Sequence, residues 1–161
     1  MSESSGKSSA AQAILWAGLA AGILDITAAF ITWAPRGVMP IRILQSVASG
    51  LLGPSSYQGG AATAALGLGL HFFIAYSWAT IFYVASRRIS LMTQRPMVSG
   101  VLFGVFVYLV MYWVVIPLSH MRRGPFSLFN TVIAIITHMV CVGLPIALMV
   151  RKHAGVVNST P

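Results

Sequence analysis

Long apolar runs separated by polar connections are the dominant pattern of this sequence. Four runs have roughly the 20 residues that a helix, rising about 1.5 Å per residue, needs to cross the hydrocarbon core of a bilayer. They cover residues 13–33, 62–85, 98–118 and 129–150. Because lipid offers the backbone no hydrogen-bond partner, each run is predicted to be a transmembrane helix.

One connection, residues 34–61, is long enough to hold a helix of its own. Within it the stretch IRILQSVASGLL places four apolar residues on one helical face, but the stretch is too short to span a bilayer. The pattern therefore predicts an all-α integral membrane protein. Its predicted architecture is a four-helix transmembrane bundle with one short interfacial or re-entrant helix after the first span.

The two ends of the chain differ from this central region. Residues 1–12, MSESSGKSSAAQ, are rich in small polar residues and are predicted to be a disordered N-terminal tail. Residues 13–150 form the predicted four-span transmembrane domain, and residues 151–161 form a basic C-terminal tail. The first apolar run is too long for a secretory signal peptide, so we expect it to stay in the protein as a span.

Composition agrees with a lipid environment. Of the 161 residues, 57% are hydrophobic and only 7% are charged, whereas soluble domains carry about 25% charged residues. A chain with so few charges cannot cover itself with a polar surface. The single cysteine, Cys141, excludes an internal disulfide and fits no multi-cysteine metal or redox motif.

The formal net charge of +8 is spread over both ends of the spans. With four spans, both termini lie on one side of the membrane, and that side carries Lys7, Arg87, Arg88, Arg95, Arg151 and Lys152. The other side carries Arg36, Arg42, Arg122 and Arg123. This excess predicts cytoplasmic termini. The basic residues predict contact with anionic lipids, and their scatter over short loops without a nucleic-acid module argues against nucleic-acid binding.

Glycines mark the faces along which neighbouring helices are predicted to pack, because small residues let helix backbones approach closely in a membrane. These positions are Gly18, Gly22, Gly67, Gly100 and Gly104. Four helices rarely enclose a generous pathway, so a homo-oligomer is expected. One form that this expectation allows is a homodimer through a small-residue face, such as that of Gly100 and Gly104.

Asp25 is one of only two acidic residues in the chain, and it lies inside the first apolar run. It falls on the same helical face as two of the packing glycines. Counting about 1.5 Å per residue from the middle of each span puts Asp25, His71 and His138 at similar depths, with Tyr112 close to them. The sequence therefore predicts an intramembrane polar layer made of these four residues.

Ionisable residues inside a membrane are costly, which makes this layer a candidate functional site. One hypothesis is proton-linked or ion-linked transport or permeation, in which Asp25 and a histidine share a proton, since the reference pKa of histidine is near 6.5. The alternative is a structural or assembly membrane protein, in which Asp25 hydrogen-bonds a histidine only to hold helices together.

Three other chemistries are open at this point. Two histidines and one aspartate suit a divalent metal, although no HExxH motif or close histidine spacing supports one. His71 and His138 lie on parallel spans at similar depth, as haem ligands would, but a buried carboxylate beside the ring argues against haem. Neither cofactor is predicted. No Ser-His-Asp order, GxSxG motif or phosphate-binding loop indicates an enzyme.

Three stretches together resemble a known family. LHFFIAYSWATIFYVA (70–85) carries a histidine near its start, PMVSGVLFGVFVYLVMYWVVIPLS (96–119) is glycine-rich with a Pro-Leu end, and ITHMVCVGLPIALMVRK (136–152) carries a histidine and a basic end. With the loop APRGVMP (34–40), this layout resembles the YagU-type inner-membrane proteins of bacteria. The resemblance implies family positions for His71, Pro117, Leu118 and His138, but none for Asp25. It implies a bacterial plasma-membrane protein of a family whose biochemical activity is not established.

Overall fold

The computed structural model describes residues 3–122 and 124–153, with side chains described from residue 10. In these ranges four helices are long and apolar enough to cross a membrane: Ala10–Arg36, Gly60–Ser86, Pro96–Leu118 and Leu128–His153. We call them the first to fourth spans. The same described ranges contain no strand. The predicted all-α four-helix bundle is confirmed, and the architecture is that of a multi-pass membrane protein.

The helical elements follow one another with few interruptions. The α-helices are α1 (Glu3–Trp33), α2 (Pro40–Leu52), α3 (Gly60–Ser86), α4 (Leu91–Gln94), α5 (Pro96–Val110), α6 (Ile116–Leu118), α7 (Leu128–Thr137) and α8 (Leu144–His153). Two 3-10 turns, Ala34–Arg36 and Gly53–Gln58, flank α2. Two π-helical segments, Met111–Val115 and His138–Gly143, interrupt the third and fourth spans.

The ends of the predicted transmembrane domain differ slightly from the observed spans. Residues 10–12, predicted to lie in the tail, belong to the first span, since the two alanines among them are strong helix formers. The fourth span likewise includes residues 151–153. The backbone of residues 3–9 is helical in α1, which differs from the predicted disordered tail. Residues 1–2 and 154–161 lie outside the described part, so the basic C-terminal tail beyond residue 153 stays a prediction.

Proline and serine determine where several helices begin. Pro40 and Pro96 occupy the first position of α2 and α5, where a missing N–H leaves no hydrogen bond unmade. Ser127 precedes α7, and its hydroxyl accepts a hydrogen bond from the backbone N–H of Asn130. Gly53 ends α2 with a φ of 65°, which glycine adopts without strain.

The packing glycines lie where helices approach each other. A Cβ added at Gly18 would overlap the ring of Tyr76, and one added at Gly22 would overlap the ring of Phe72. These two glycines therefore seat aromatic side chains of the second span against the first. A Cβ at Gly67 would overlap the Leu44 carbonyl, which shows how closely α2 packs on α3.

Gly100 and Gly104 face the fourth span of the same chain. A Cβ at Gly104 would overlap the backbone of His138, and one at Gly100 would lie 3.0 Å from the carbonyl oxygen of Gly143. Gly143 in turn faces Gly100, so the two backbones are in contact here. The prediction that this glycine face forms a homodimer is wrong, because the fourth span already covers it. A homo-oligomer through another face stays a prediction.

Large aromatic side chains connect the second and third spans at one end of the bundle. The ring centroids of Phe82 and Phe103 lie 4.9 Å apart, and those of Trp78 and Phe103 lie 5.9 Å apart. We call Trp78, Phe82 and Phe103 the aromatic cluster. Towards the other end α2 packs against the bundle, where the backbone N–H of His120 donates to the carbonyl of Gly50 at 2.9 Å.

Candidate functional site

A cavity of about 230 Å³ lies among the four spans and α2. We call it the central cavity. Its lining includes Trp78 of the aromatic cluster at one end, and Ser119 and Met121 of the connection between the third and fourth spans at the other. Three predicted polar-layer residues, Asp25, His71 and His138, all line it. The structure thus places these three side chains around one space.

Asp25 is half-buried on α1. Its carboxylate makes no hydrogen bond or ion pair to any residue in the described ranges 10–122 and 124–153. A carboxylate inside a membrane normally pairs with a basic group or with hydrogen-bond donors. Here it faces a cavity, so its hydrogen-bonding capacity is available to water, to a proton or to a ligand.

His71 joins the first two spans. Its Nε2 lies 2.8 Å from the backbone carbonyl oxygen of Gly22. Because a carbonyl only accepts hydrogen bonds, Nε2 must carry the proton and donate it. The ring also meets Phe72 edge-on at a centroid distance of 5.5 Å. In the neutral ring, Nδ1 is therefore an acceptor, and no described residue donates to it.

His138 is held within its own span. Its Nδ1 lies 2.8 Å from the carbonyl oxygen of Ala134, one turn earlier, so Nδ1 carries the proton. Its ring packs edge-on against Tyr108 at a centroid distance of 5.6 Å. In the neutral ring Nε2 is then an acceptor, and among the described residues it has no donor.

The predicted Asp25–histidine hydrogen bond is not present. Each histidine donates a hydrogen bond from one ring nitrogen to a backbone carbonyl oxygen. The Asp25 carboxylate forms no hydrogen bond or ion pair with either ring. The three groups share a cavity without touching. A proton could pass between them only through water or another small molecule in the cavity.

Tyr112, the fourth predicted layer residue, lies outside the central cavity. It lines a second space of about 420 Å³, the outer cavity, together with Arg122, Asn130 and His138. Its ring stacks on Tyr108 with centroids 5.8 Å apart. Tyr112 and the polar-layer residue His138 therefore line the outer cavity together.

A third space of about 200 Å³, the lateral cavity, lies between the first and fourth spans. Asp25 lines both the central and the lateral cavity, and His138 lines all three. At the loop end of this region, the guanidinium of Arg36 donates to the side-chain oxygen of Asn130 at 2.9 Å. His138 is thus the side chain that the three cavities have in common.

The π-helical segments were not predicted from the sequence. The segment Met111–Val115 precedes Ile116 and Pro117, and the segment His138–Gly143 precedes Leu144 and Pro145. Proline has no N–H, and its ring clashes with the carbonyl four residues earlier. A wider turn relieves that clash, and such turns are frequent at functional sites. The two prolines are the sequence signal for these wider turns, since each lies two residues after the end of a π-helical segment.

Both segments contribute to the cavity walls. Met111 and Val115 of the first segment, and His138 and Val142 of the second, line the central cavity. No group of three or more histidine, cysteine, aspartate or glutamate side chains within the described ranges is placed to hold a metal ion. The divalent-metal alternative therefore has no ligand set in that part of the chain.

Comparisons with protein-family models, with curated proteins and with solved structures find no match to this chain. The YagU-type resemblance stays a prediction.

Proposed function

We propose that this protein carries out proton-linked or ion-linked permeation through the central cavity, with Asp25 as the group that binds the proton or cation. The observation that carries the proposal is the Asp25 carboxylate, which faces a cavity among membrane-length helices and has no partner among the described residues. An unpaired carboxylate in this setting destabilises the fold, so a purely structural role does not account for it.

The cavity lowers the cost of the charge without removing it. A cavity of this size, lined by three ionisable side chains, has room for water, and water bridges polar groups that lie too far apart for a direct hydrogen bond. His71 and His138 place their unpaired ring nitrogens on rings that line the same space. A proton or small cation at Asp25 would neutralise the charge while these nitrogens complete its coordination.

At one side, the central cavity shares lining residues with the outer and lateral cavities. His138 lines the central and the outer cavity, and the outer cavity reaches Arg122 in the connection between the third and fourth spans. On the other side the aromatic cluster and the fully buried side chains of Ile146 and Val150 fill the interior. Complete permeation therefore requires these side chains to separate.

The cellular setting follows from the same proposal. The excess of basic residues on the side of the termini supports cytoplasmic termini, and the central cavity would then lead towards the outer surface. The YagU-type resemblance supports a bacterial inner (plasma) membrane. Anionic lipids are the proposed partners of the basic residues at both faces, alongside homo-oligomers of this chain.

The proposal is tested in proteoliposomes loaded with a pH-sensitive dye. An imposed pH gradient should dissipate faster with the protein than without it, and Asp25→Asn should abolish the difference. His120→Gln is the matched control, because His120 is exposed in a loop and lines none of the three cavities. Equal rates for Asp25→Asn and the unsubstituted protein, with both folded by circular dichroism, would contradict the proposal.

A structural or assembly role is the second candidate, and one observation favours it. The hydrogen bond from His71 to the Gly22 carbonyl links two spans directly, as polar side chains commonly do in membrane bundles. This bond involves His71 and leaves Asp25 free. Loss of stability in a His71 variant, together with unchanged dye signals in every Asp25 variant, would favour this candidate over permeation.

A further inference from the structure

We infer that the central cavity binds a small cation that donates hydrogen bonds, namely ammonium or a primary alkylammonium ion. This inference names the substrate class of the site described above and rests on the proposed permeation function. It follows from the balance of donors and acceptors on the cavity wall, from the charge of that wall and from its size.

The unpaired polar groups of the wall are mostly hydrogen-bond acceptors. The Asp25 carboxylate only accepts, and the free nitrogens of His71 and His138 accept in the neutral rings because the other nitrogen of each ring donates to a carbonyl. The hydroxyl of Ser119 already donates a hydrogen bond to the carbonyl oxygen of Ile116, with an oxygen–oxygen distance of 2.8 Å. Among the described lining residues, the indole N–H of Trp78 is the side-chain donor that remains.

A ligand that fits such a wall must bring its own donors. Ammonium has four N–H groups, and a primary alkylammonium ion has three, which match one carboxylate and two imidazole nitrogens. Metal cations that prefer oxygen need several oxygen ligands at once, whereas this wall offers a single carboxylate. Transition metals would accept the imidazoles, but the described residues hold no group of three suitable ligands.

Charge and size agree with a monovalent ion. Among the described residues, Asp25 is the only acidic residue on the wall, and no lysine or arginine lines the central cavity. A volume of about 230 Å³ holds an ammonium ion with several waters, since each water occupies about 30 Å³. Trp78, at the end of the cavity, adds an aromatic ring of the kind that attracts organic cations.

The experiment applies concentration jumps of single chlorides to proteoliposomes adsorbed on a solid-supported membrane. Ammonium and methylammonium should give saturable currents about tenfold or more larger than potassium, which resembles ammonium in size but donates no hydrogen bond. Tetramethylammonium, which is a cation without N–H groups, should behave like potassium. Protein-free liposomes correct for ammonia that crosses the lipid unaided.

Two variants link the currents to the cavity. Asp25→Asn should abolish the ammonium current, and Asp25→Glu, which keeps the carboxylate, should retain part of it. His120→Gln, in an exposed loop, should leave it unchanged. Equal currents with potassium or tetramethylammonium would overturn the inference, because they would show that donated hydrogen bonds do not select the ion.

The outcomes separate this inference from the function on which it rests. An Asp25-dependent dissipation of a pH gradient, with no current from any ammonium ion, would retain proton-linked permeation and overturn the ammonium inference. Ammonium currents of the same size in the Asp25→Asn variant would overturn the inference as well. Absence of both signals would contradict the substrate class and the permeation function together.

Discussion

The two ends of the bundle are built from the same four helices but are packed very differently. At one end the aromatic cluster of Trp78, Phe82 and Phe103, with Ile146 and Val150, fills the interior. At the other end α2 lies against the bundle, and the central, outer and lateral cavities separate the spans. The packed end holds the fold together, and the open end holds the polar residues.

The difference shows how a small bundle can hold ionisable groups without losing its stability. Phe82, Ile146 and Val150 are fully buried and supply apolar contacts at the packed end. Asp25, which has no hydrogen-bond or ion-pair partner among the described residues, lies at the other end. Substitutions at the packed end should therefore lower the free energy of unfolding. Substitution of Asp25 at the open end should instead abolish function without lowering that free energy.

The largest effect is expected at the packed end. Phe82→Ala should lower the free energy of unfolding by about 3–5 kcal/mol, because Phe82 is fully buried and its removal leaves a cavity. Met111→Ala, at the open end, is the matched control and should cost about 2 kcal/mol or less, since Met111 already borders empty space. Unfolding in mixed micelles measures both, and equal losses would contradict the comparison.

The next effect is expected at the contact between the third and fourth spans. Gly104→Val should destabilise the bundle by at least about 1–3 kcal/mol, because its side chain would overlap the His138 backbone. Gly69→Val is the control, as no atom lies within 4 Å of a Cβ built at Gly69. The same unfolding assay applies, and a stable Gly104→Val protein would show that this helix contact is not close.

Asp25→Leu should increase stability while abolishing function. Removing an unpaired carboxylate from the membrane should raise the free energy of unfolding by about 1–3 kcal/mol. The gradient-dissipation assay should give no signal for this variant. A loss of stability would indicate that Asp25 holds helices together, and would favour the structural candidate over permeation.

The hydrogen bond between the first two spans should have a smaller effect. His71→Leu removes the donor to the Gly22 carbonyl and should lower stability by about 0.6 kcal/mol and by no more than about 1.7 kcal/mol, the average and the maximum for polar contacts between membrane helices. His138→Leu removes a bond within one span and is the comparison variant. Thermal unfolding followed by circular dichroism distinguishes them, and His138→Leu should change the midpoint less.

The smallest effect concerns the charge around the outer cavity. Arg122→Gln should strengthen the apparent affinity for ammonium by less than about threefold, because one positive charge that repels the cation is removed. The effect should weaken further as salt screens the charge. Arg95→Gln is the control, since Arg95 lines a surface groove with Leu91 and Val98, away from the three cavities. Weaker affinity in Arg122→Gln would argue that the ligand is an anion.

Much of the fold follows from local features of the chain. The lengths of the apolar runs predict the four spans, and the interrupted connection predicts α2. Pro40 and Pro96 mark helix starts, and Pro117 lies in the last turn of the third span. These predictions succeed because lipid leaves the backbone of an apolar run no alternative to a helix.

The candidate site was harder to predict. Depth along each helix can be counted from the sequence, so the sequence predicted that Asp25, His71 and His138 would lie close together. The hydrogen-bond partners of these side chains do not follow from depth along a helix. Each histidine ring bonds a backbone carbonyl and not the Asp25 carboxylate. The position of Tyr112 beside the outer cavity likewise depends on how the third and fourth spans cross.

The sequence by itself determined that the chain forms membrane-length helices, that glycines mark their contacts and that one carboxylate lies within an apolar span. Only the tertiary structure decided that Gly100 and Gly104 meet the fourth span rather than a second copy, and that Asp25 faces a cavity instead of a histidine. The physical reason is that hydropathy and helical periodicity determine where one segment forms a helix and which of its faces is apolar. Which faces meet depends on close backbone contact between segments distant along the chain.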